Sequence, residues 1–249
     1  MAARASSCEK RGILALGSKA QVTRAAILSA AEDQFAQRGY VATRLEDVAA
    51  AVGLKRAALF YHFRDKQSLY DAVIADAFGQ LASALQEAFA VPSPVSVRIE
   101  RAVEVWVDTI AKRPTIARLI LRHAAEAEEH TTPGIFPGAE RLLGTAWSLF
   151  EQGRASGELN PVNDDLFHAA SAVLGATIFY VSALSSLLPN ARFNPLAPEQ
   201  VEAHKRDALR TVRMLLGIRA GRKGKRPASA APSHGANGSS ALAAGDGRR

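Results

Sequence analysis

Apolar residues recur three or four positions apart through most of this chain, which is the spacing of one face of an α-helix. The segments with this spacing end at glycines and prolines, and no alternating run of β-branched residues is long enough to indicate a sheet. The pattern predicts helices at about 19–38, 43–52, 54–63, 66–89, 95–113, 114–130, 139–154, 166–188 and 198–218. The fold class that follows is all-α.

The stretch 43–69 carries the strongest local signals. Thr43 and Glu46 have the spacing of a capping box, in which each side chain bonds a free backbone N–H at the start of a helix. The apolar stripe of this helix is formed by Leu45, Val48, Ala49 and Val52. Gly53 is expected to end it, because a tight turn between helices needs a residue that tolerates a positive φ.

The second helix of this stretch is predicted to present a basic and aromatic face. Leu54 and Leu59 have the spacing of core positions, and Asp65 is placed to cap the following helix. The residues left to point outward are Lys55, Arg56, Ala57, Phe60 and Tyr61. A short helix with such side chains near its N-terminus fits the DNA major groove, which favours a helix-turn-helix. On pattern alone, a helical hairpin with a solvated basic face remains the alternative.

The run 23–69 resembles the N-terminal DNA-binding domain of the TetR family of bacterial transcriptional regulators. The matching positions are Ile27, Ala30, Phe35, Gly39, Tyr40, Thr43, Val48, Ala49, Gly53, Leu54, Leu59, Phe60, His62, Phe63, Lys66 and Leu69. The sequence departs from the family pattern at three positions. Lys55 stands where a Ser or Thr usually caps the recognition helix, Ala57 stands where Gly is common, and Phe60 replaces a frequent Tyr.

The resemblance and the outward face together predict a DNA-binding transcriptional regulator, and specifically a repressor that a small apolar ligand releases from its operator. We expect base contacts from Lys55, Arg56, Ala57 and Tyr61. Phosphate contacts are expected from Thr43, Arg44, Phe60, His62 and Lys66. The resemblance also implies a homodimer on a palindromic double-stranded operator, joined through the last two helices at about 164–188 and 198–218.

The domain organisation follows from these assignments. Residues 1–18 are predicted to be a disordered tail, 19–69 the DNA-binding domain with its helix-turn-helix at about 43–63, and 70–218 a helical ligand-binding and dimerisation domain. Residues 219–249, rich in basic residues and then in Ala, Ser and Gly, are predicted to be a disordered basic tail.

The distribution of charge agrees with this division. Of the net charge of +7, the region 23–69 carries +2, from seven basic and five acidic residues, and the tails are strongly basic. The region 70–218 carries −4, from 13 basic and 17 acidic residues. Positive charge confined to one part of the chain is what a separate DNA-binding domain would show, although basic tails can also be merely solubilising.

Cellular location is predicted from what the sequence lacks. The single cysteine, Cys8, cannot form an intramolecular disulfide, and no apolar run near the N-terminus is long enough for a signal peptide, so we expect a cytoplasmic protein. The segment 166–188, for which Asp164 is the expected N-cap, has 23 residues without a Lys, Arg, Asp or Glu and is therefore long enough for a membrane span. Its six Ser, Thr and His residues and its lack of flanking aromatic or basic residues favour a buried helix.

Aromatic residues of the second domain are candidates for a ligand pocket. The candidate lining residues are Trp106, Ile110, Trp147, Phe150, Phe167, His168, Phe179 and Tyr180. Each of them taken alone is first a core residue. The TetR family keeps an apolar pocket in this domain, so the resemblance implies that some of these side chains surround a ligand.

Catalytic and metal-binding patterns are weak. No nucleophile with a base, paired carboxylates or phosphate-binding glycine loop has diagnostic spacing, so an enzyme is not expected, and neither is a cofactor. His123, Glu126 and His130 share one helix face and are the best candidate metal ligands. The alternative function is therefore a metal-dependent enzyme or small-molecule-binding protein that uses this face, against an ordinary polar helix end.

Overall fold

The computed structural model describes residues 3–125, 138–187 and 193–218, and every element of secondary structure in these ranges is a helix. The prediction of an all-α fold is confirmed. We number the helices α1 Ala3–Ala42, α2 Leu45–Ala51, α3 Arg56–His62, α4 Lys66–Ala90, α5 Val95–Lys112, α6 Thr115–Ala125, α7 Ala139–Ser156, α8 Leu166–Ser182, α9 Leu184–Leu187 and α10 Pro198–Leu216. The predicted basic tail at 219–249 lies outside the described residues.

Helix α1 supplies the core of the N-terminal part. Ile27, Ala31 and Phe35 are buried along one face, as their spacing predicts. The backbone leaves helical geometry at Gly39, whose φ of 80° is accessible to glycine at little cost. The helix begins at Ala3, whereas the sequence predicts a start at Lys19 or Thr23, and the tail at 1–18 stays a prediction.

The capping box predicted for α2 is wrong. Arg44 occupies the N-cap and makes no side-chain cap hydrogen bond. Thr43 is instead buried, and its Oγ1 donates to the Gly39 carbonyl oxygen at 2.7 Å. The hydroxyl therefore bonds a carbonyl in the last turn of α1, rather than an N–H at the start of α2. Glu46 points outward and is free to pair with another residue.

Helix α4 joins the two parts of the chain. Its N-cap is Asp65, as predicted, and Asp65 and Ser68 form a reciprocal capping box. The hydrogen bond that the Ser68 N–H donates to the Asp65 carboxylate lowers the pKa of Asp65. The hydrogen bond from the Arg64 side chain lowers it further. The predicted boundary between residues 69 and 70 falls inside this helix, and the chain up to Ile218 forms one compact unit.

The large side chains of α7 divide between core and surface in a way that the periodicity did not predict. Leu149 and Phe150 are buried, but Trp147, which taken alone is expected to be a core residue, is 42% exposed, and Leu143 is 51% exposed. Trp147 lies with its ring centroid 6.4 Å from that of Phe167 on α8, which is also exposed. The two rings pack against each other at the surface. The spacing of apolar residues in α7 thus predicted a helix but did not predict which of them are buried.

The long uncharged segment at 166–188 does not form one continuous helix. Helix α8 ends at Ser182, Ala183 interrupts it, and α9 is a separate short turn. Asp165, rather than the expected Asp164, caps α8 by accepting from the Phe167 N–H at 2.8 Å. Among the described residues, no helix has the length and apolarity that a bilayer crossing requires.

Helices α8 and α10 meet around His204. Its Nε2 lies 3.1 Å from Thr177 Oγ1, and the Thr177 hydroxyl donates to the Val173 carbonyl oxygen. Because that hydroxyl proton is already used, Nε2 must carry the hydrogen of the neutral ring. The imidazole stacks on Tyr180 with ring centroids 4.2 Å apart, and burial lowers the pKa of His204 against a smaller opposing effect of Asp207.

A network of charged groups fastens α1 to the corner between α5 and α6. The Nε of Arg113 donates to Glu32 Oε1 at 2.8 Å, and its Nη2 donates to Asp76 on α4 at 3.0 Å. Thr115 Oγ1 donates to the same buried Glu32 carboxylate. The hydrogen bonds to Glu32 raise the pKa of Arg113. Arg122 on α6 adds two hydrogen bonds to backbone carbonyls near the end of α1, those of Ala36 and Gln37.

The charged network predicts a large effect of Glu32→Gln on stability. The substitution keeps the shape of the side chain but leaves Arg113 with Asp76 as its only carboxylate, so we expect unfolding free energy to fall by about 2 kcal/mol. The matched control is Arg101→Gln, which breaks an exposed pair with Glu104 and is expected to cost less than about 1 kcal/mol. Urea midpoints of the two variants check this, and equal midpoints would contradict it.

His204 predicts a loss of stability in mild acid. Because its pKa is lower in the folded than in the unfolded chain, the unfolded chain binds more protons below the ordinary histidine value of about 6.5. The stabilisation is complete above that pH and is lost as the pH falls through the folded-state pKa. His204→Gln, which keeps a donor for Thr177, should reduce this dependence. Unfolding free energies at a series of pH values test it, and identical curves for the two proteins would contradict it.

Candidate nucleic-acid interface

Helices α2 and α3 form a tight pair joined by a turn at Gly53. Gly53 has a φ of 69°, and the Leu54 N–H bonds the Ala49 carbonyl oxygen at 2.8 Å across the turn. Leu59 is fully buried on the inner side of α3. Phe63, the residue that follows the last residue of the helix, is also buried. A helix of seven residues is not stable alone, so these two anchors set its position.

The outer face of α3 is exposed and combines positive charge with aromatic rings. The four residues predicted to read bases, Lys55, Arg56, Ala57 and Tyr61, all lie on this face. Tyr61 is 84% exposed, which makes it the most prominent side chain of the helix. Lys55 is the N-cap and forms no side-chain cap bond, so the first N–H groups of α3 keep no such partner.

Arg56 is held in a defined position on this face. Its Nη1 lies 2.6 Å from Glu46 Oε1 on α2, and its guanidinium lies 5.4 Å from the centroid of the Phe60 ring. Both members of the ion pair are more than half exposed, so the pair contributes little to stability and can open readily. The sequence did not predict this pairing of Glu46, because Glu46 and Arg56 are ten positions apart on two different helices. Pairing rules from sequence apply only to residues three or four apart on one helix.

The residues predicted to contact phosphates surround this face but differ in availability. Arg44 is exposed at the start of α2, Phe60 is 41% exposed, and His62 is half-buried with its ring against Tyr61. The Thr43 side chain faces the protein interior, as described above. The Lys66 Nζ donates to the Val41 carbonyl oxygen at 3.0 Å and lies 4.6 Å from the centroid of the Tyr40 ring.

Arg24 joins the border of this surface. Its guanidinium lies 4.8 Å from the centroid of the Phe63 ring, which places a cation from α1 beside the end of α3. The sequence alone offers no periodic signal for this pairing, because the two residues are distant in the chain.

The residues predicted to line a ligand pocket are not brought together as one group. Trp106 and Phe167 line a cavity of about 170 Å³ in the second part of the molecule. Ile110 and Phe150 are buried outside its lining, and Tyr180 stacks on His204. The three others, Trp147, His168 and Phe179, are exposed.

Of the three candidate metal ligands, only His123 lies among the described residues. His123 is 8% exposed, and its Nδ1 lies 3.2 Å from the Tyr70 hydroxyl. Glu126 and His130 lie outside the described residues. Within the described part of the chain, no three His, Cys, Asp or Glu side chains are grouped as metal ligands would be. This environment makes His123 a hydrogen-bonded core residue and does not favour the alternative function.

Comparison with known proteins agrees with the geometry of α2 and α3. Residues 27–73 match the model for bacterial regulatory proteins of the TetR family. The chain is 31% identical over 129 residues to the transcriptional activator FasR of Mycolicibacterium smegmatis, covering 52% of this chain and 59% of FasR. It is 31% identical over 121 residues to the transcriptional repressor BepR of Brucella suis, covering 47% of this chain and 57% of BepR. The chain thus spans less than two thirds of the length of these relatives.

A solved structure shows the same fold over a longer range. A TetR family transcription regulator from Marinobacter aquaeolei superimposes with a TM-score of 0.59, over 78% of this chain and 97% of that one, at 22% sequence identity. The likeness of fold therefore extends through the helical second part. Family model, relatives and fold agree: residues 27–73 match the TetR family of bacterial regulatory proteins, and the fold of the chain is similar to that of a TetR family regulator.

Proposed function

We propose that this protein is a sequence-specific, DNA-binding transcriptional regulator that acts as a repressor. The observation that carries the proposal is the exposed face of α3, where Lys55, Arg56 and Tyr61 project from a helix anchored by Leu59. A major groove admits such a helix, and arginine and lysine there bond guanine edges while phosphate contacts fix the register. Ala57 offers an apolar contact to a thymine methyl group.

The phosphate backbone is proposed to lie along the border of this face. Arg44, His62 and Lys66 supply positive or hydrogen-bonding groups, and Phe60 adds apolar contact beside them. Thr43, which the sequence predicts to contact a phosphate, is buried and bonded to Gly39, so it is not part of this set. Lys66 would exchange its bond to the Val41 carbonyl for a phosphate oxygen. The positive charge of 23–69 and the negative charge of 70–218 favour approach of DNA to the α3 side of the molecule.

Palindromic DNA requires two copies of α3, and we propose that α8 and α10 join two copies of the chain. In support, α8 exposes Phe167, Leu174 and Phe179, large apolar side chains of the kind that dimer interfaces bury. The two α3 helices would then stand about 34–36 Å apart, one helical turn of DNA.

Regulation would come from a small apolar ligand bound behind the DNA-binding domain. Helix α4 starts at Lys66, with three residues between it and the end of α3 at His62, and it reaches the cavity through Leu85 and Phe89. A ligand that binds only one position of α4 would shift the spacing of the two α3 helices. The names of the relatives do not decide between activation and repression, since FasR is named an activator and BepR a repressor. We propose repression because ligand binding is expected to lower the affinity for the operator.

Two arginine variants test the division between base and phosphate contacts. On duplexes selected from a random pool by the purified protein, Arg56→Gln should lose about 1–3 kcal/mol of binding free energy, with little loss on unselected duplexes. Arg44→Gln should weaken binding to both kinds of duplex and reduce the salt slope by about one. Arg101→Gln, on α5, is the control for removing a surface charge. Equal effects of both variants on both duplexes would contradict the assignment, and failure to select any sequence would contradict the proposed function.

The ion pair between Glu46 and Arg56 predicts a gain of affinity. Glu46→Gln removes a negative charge from the DNA side and releases Arg56, so affinity for the selected duplex should rise about twofold to fivefold. The gain should shrink when Arg56 is already Gln, since the pair no longer exists. The control Asp47→Asn removes the neighbouring charge, which pairs with Arg38 instead. An equal gain from both substitutions would show that net charge alone acts.

A further inference from the structure

A polar groove lies between α5 and α7, and its lining differs from that of the apolar cavity. Its volume is about 510 Å³. Among the described residues, no acidic side chain belongs to the lining, and each polar side chain there can donate a hydrogen bond. The lining includes Arg98 of α5 and, on α7, Arg141, Gly144, Thr145, Ser148 and Gln152. A groove with two cations and no carboxylate favours an anionic ligand.

The two arginines of the groove differ from other arginines in the second part of the chain. Arg101, Arg154 and Arg210 each have a carboxylate oxygen at a distance of 3.7 Å or less. Arg98 and Arg141 form no ion pair with any residue that the structure describes, although the region 70–218 holds 17 acidic and 13 basic residues. Two like charges that line one groove disfavour each other, and a bound anion would offset this cost.

Several hydrogen-bond donors of the groove are available to a ligand. The Arg98 Nε donates to the Phe89 carbonyl oxygen at 2.5 Å, which holds this half-buried side chain in place, and its two Nη groups bond no other described residue. The Ser148 Oγ accepts from Gln152 Nε2 at 2.9 Å, so its own O–H can be donated to a ligand. The Thr145 hydroxyl already donates to the backbone of α7. The groove therefore offers two guanidiniums and one hydroxyl.

We propose that this groove binds a small phosphorylated molecule through its phosphate dianion. Two guanidiniums balance the two charges of a phosphate, whereas a carboxylate balances only one of them. The oxygens of a tetrahedral phosphate can accept hydrogen bonds from Arg98, Arg141 and the Ser148 O–H together. Arg141, Ser148 and Gln152 are exposed, so the rest of the ligand can extend into solvent.

Operator DNA does not supply this phosphate. Arg98 bonds the carbonyl of Phe89, the residue before the last of α4, whereas α3 precedes the first turn of that helix. The 25 residues of α4 separate its two ends by about 37 Å. The groove is thus at the far end of α4 from the proposed DNA-binding face, and the inference goes beyond the proposed function.

Anions of different charge and shape test the assignment on the full chain without DNA. In calorimetric titrations at constant ionic strength, inorganic phosphate and sulfate should each bind at least about tenfold more tightly than acetate, because acetate balances one guanidinium only. Between about pH 8 and about pH 5.5, phosphate loses its second charge and should bind more weakly, while sulfate keeps its affinity. Equal affinities for acetate and phosphate, a phosphate affinity that does not change with pH, or no binding of phosphate would overturn the proposal.

Two phosphate esters identify the source of the phosphate group. Glycerol 3-phosphate carries a small polyol, and AMP carries a nucleoside. Tighter binding of either ester than of inorganic phosphate supports a phosphorylated molecule of that kind as the ligand. If neither ester binds more tightly than inorganic phosphate, the assignment to a phosphorylated molecule is wrong.

A matched pair of arginine variants locates the bound phosphate. Arg141→Gln removes a charged donor from the groove and should lower the affinity for phosphate at least about tenfold. Arg101→Gln removes the same charge from α5 outside the lining and should change that affinity less than about twofold. Equal losses in the two variants would show that net charge alone attracts phosphate, which contradicts a site in the groove.

Gly144→Leu obstructs the groove and keeps every charge. A Cβ atom at Gly144 would meet no atom within 4 Å, and leucine favours a helix more than glycine does, so the variant should fold with a urea midpoint no lower than that of the wild type. Its side chain would occupy the space between the two arginines, so most of the phosphate affinity should be lost. A folded variant with unchanged phosphate affinity would show that the anion binds elsewhere.

Discussion

The buried carboxylate of Glu32 is the point on which the two parts of this molecule depend. Glu32 is almost inaccessible to solvent, and a charge in that position persists only if it is paired and hydrogen-bonded. Arg113 and Thr115 satisfy it, and both lie at the corner between α5 and α6. Since Arg113 also bonds Asp76, one guanidinium ties α1 and α4 to that corner. The position of α1 against α4 is thus set by groups from the second part of the chain.

Helix α6 strengthens the same connection by different means. Arg122 donates hydrogen bonds to the carbonyls of Ala36 and Gln37, which lie in the last turn before Gly39. His123, one position further on, meets Tyr70 of α4 in the core. The end of α1 and the start of α4 are therefore held by one short helix. A movement of α6 would therefore shift the end of α1 and the start of α4, which flank the α2–α3 pair.

These constraints suit a regulator whose ligand binds far from DNA. Helix α4 has 25 residues and spans about 37 Å, from the capping box beside α3 to the wall of the cavity. A ligand that fills the cavity would act on α4 and α5, and Arg113 is the C-cap residue of α5. The hydrogen bonds of Arg113 to Glu32 and Asp76 are directional, so the network has few alternative arrangements. A small shift of α5 would therefore move α1 and α4 as well. In the proposed mechanism, this rigidity couples the apolar cavity to the spacing of the α3 helices.

The sequence by itself determined the helices, the turn at Gly53 and the outward face of α3. Each of these depends on residues within one or two helical turns, where spacing, glycine and capping preferences act directly. The same local reasoning succeeded at Asp65, the N-cap of α4, but missed Asp165 by one position and assigned Thr43 to the wrong helix end.

Only the tertiary structure decided which polar groups meet and where the cavity lies. Glu32 and Arg113 are far apart in the chain, as are Arg24 and Phe63, and no periodicity relates them. Periodicity also failed to separate Trp106, which lines the cavity, from Trp147, which stands at the surface. Burial depends on what other helices bring to the same place. Local sequence specifies the elements, and packing between distant elements specifies the sites.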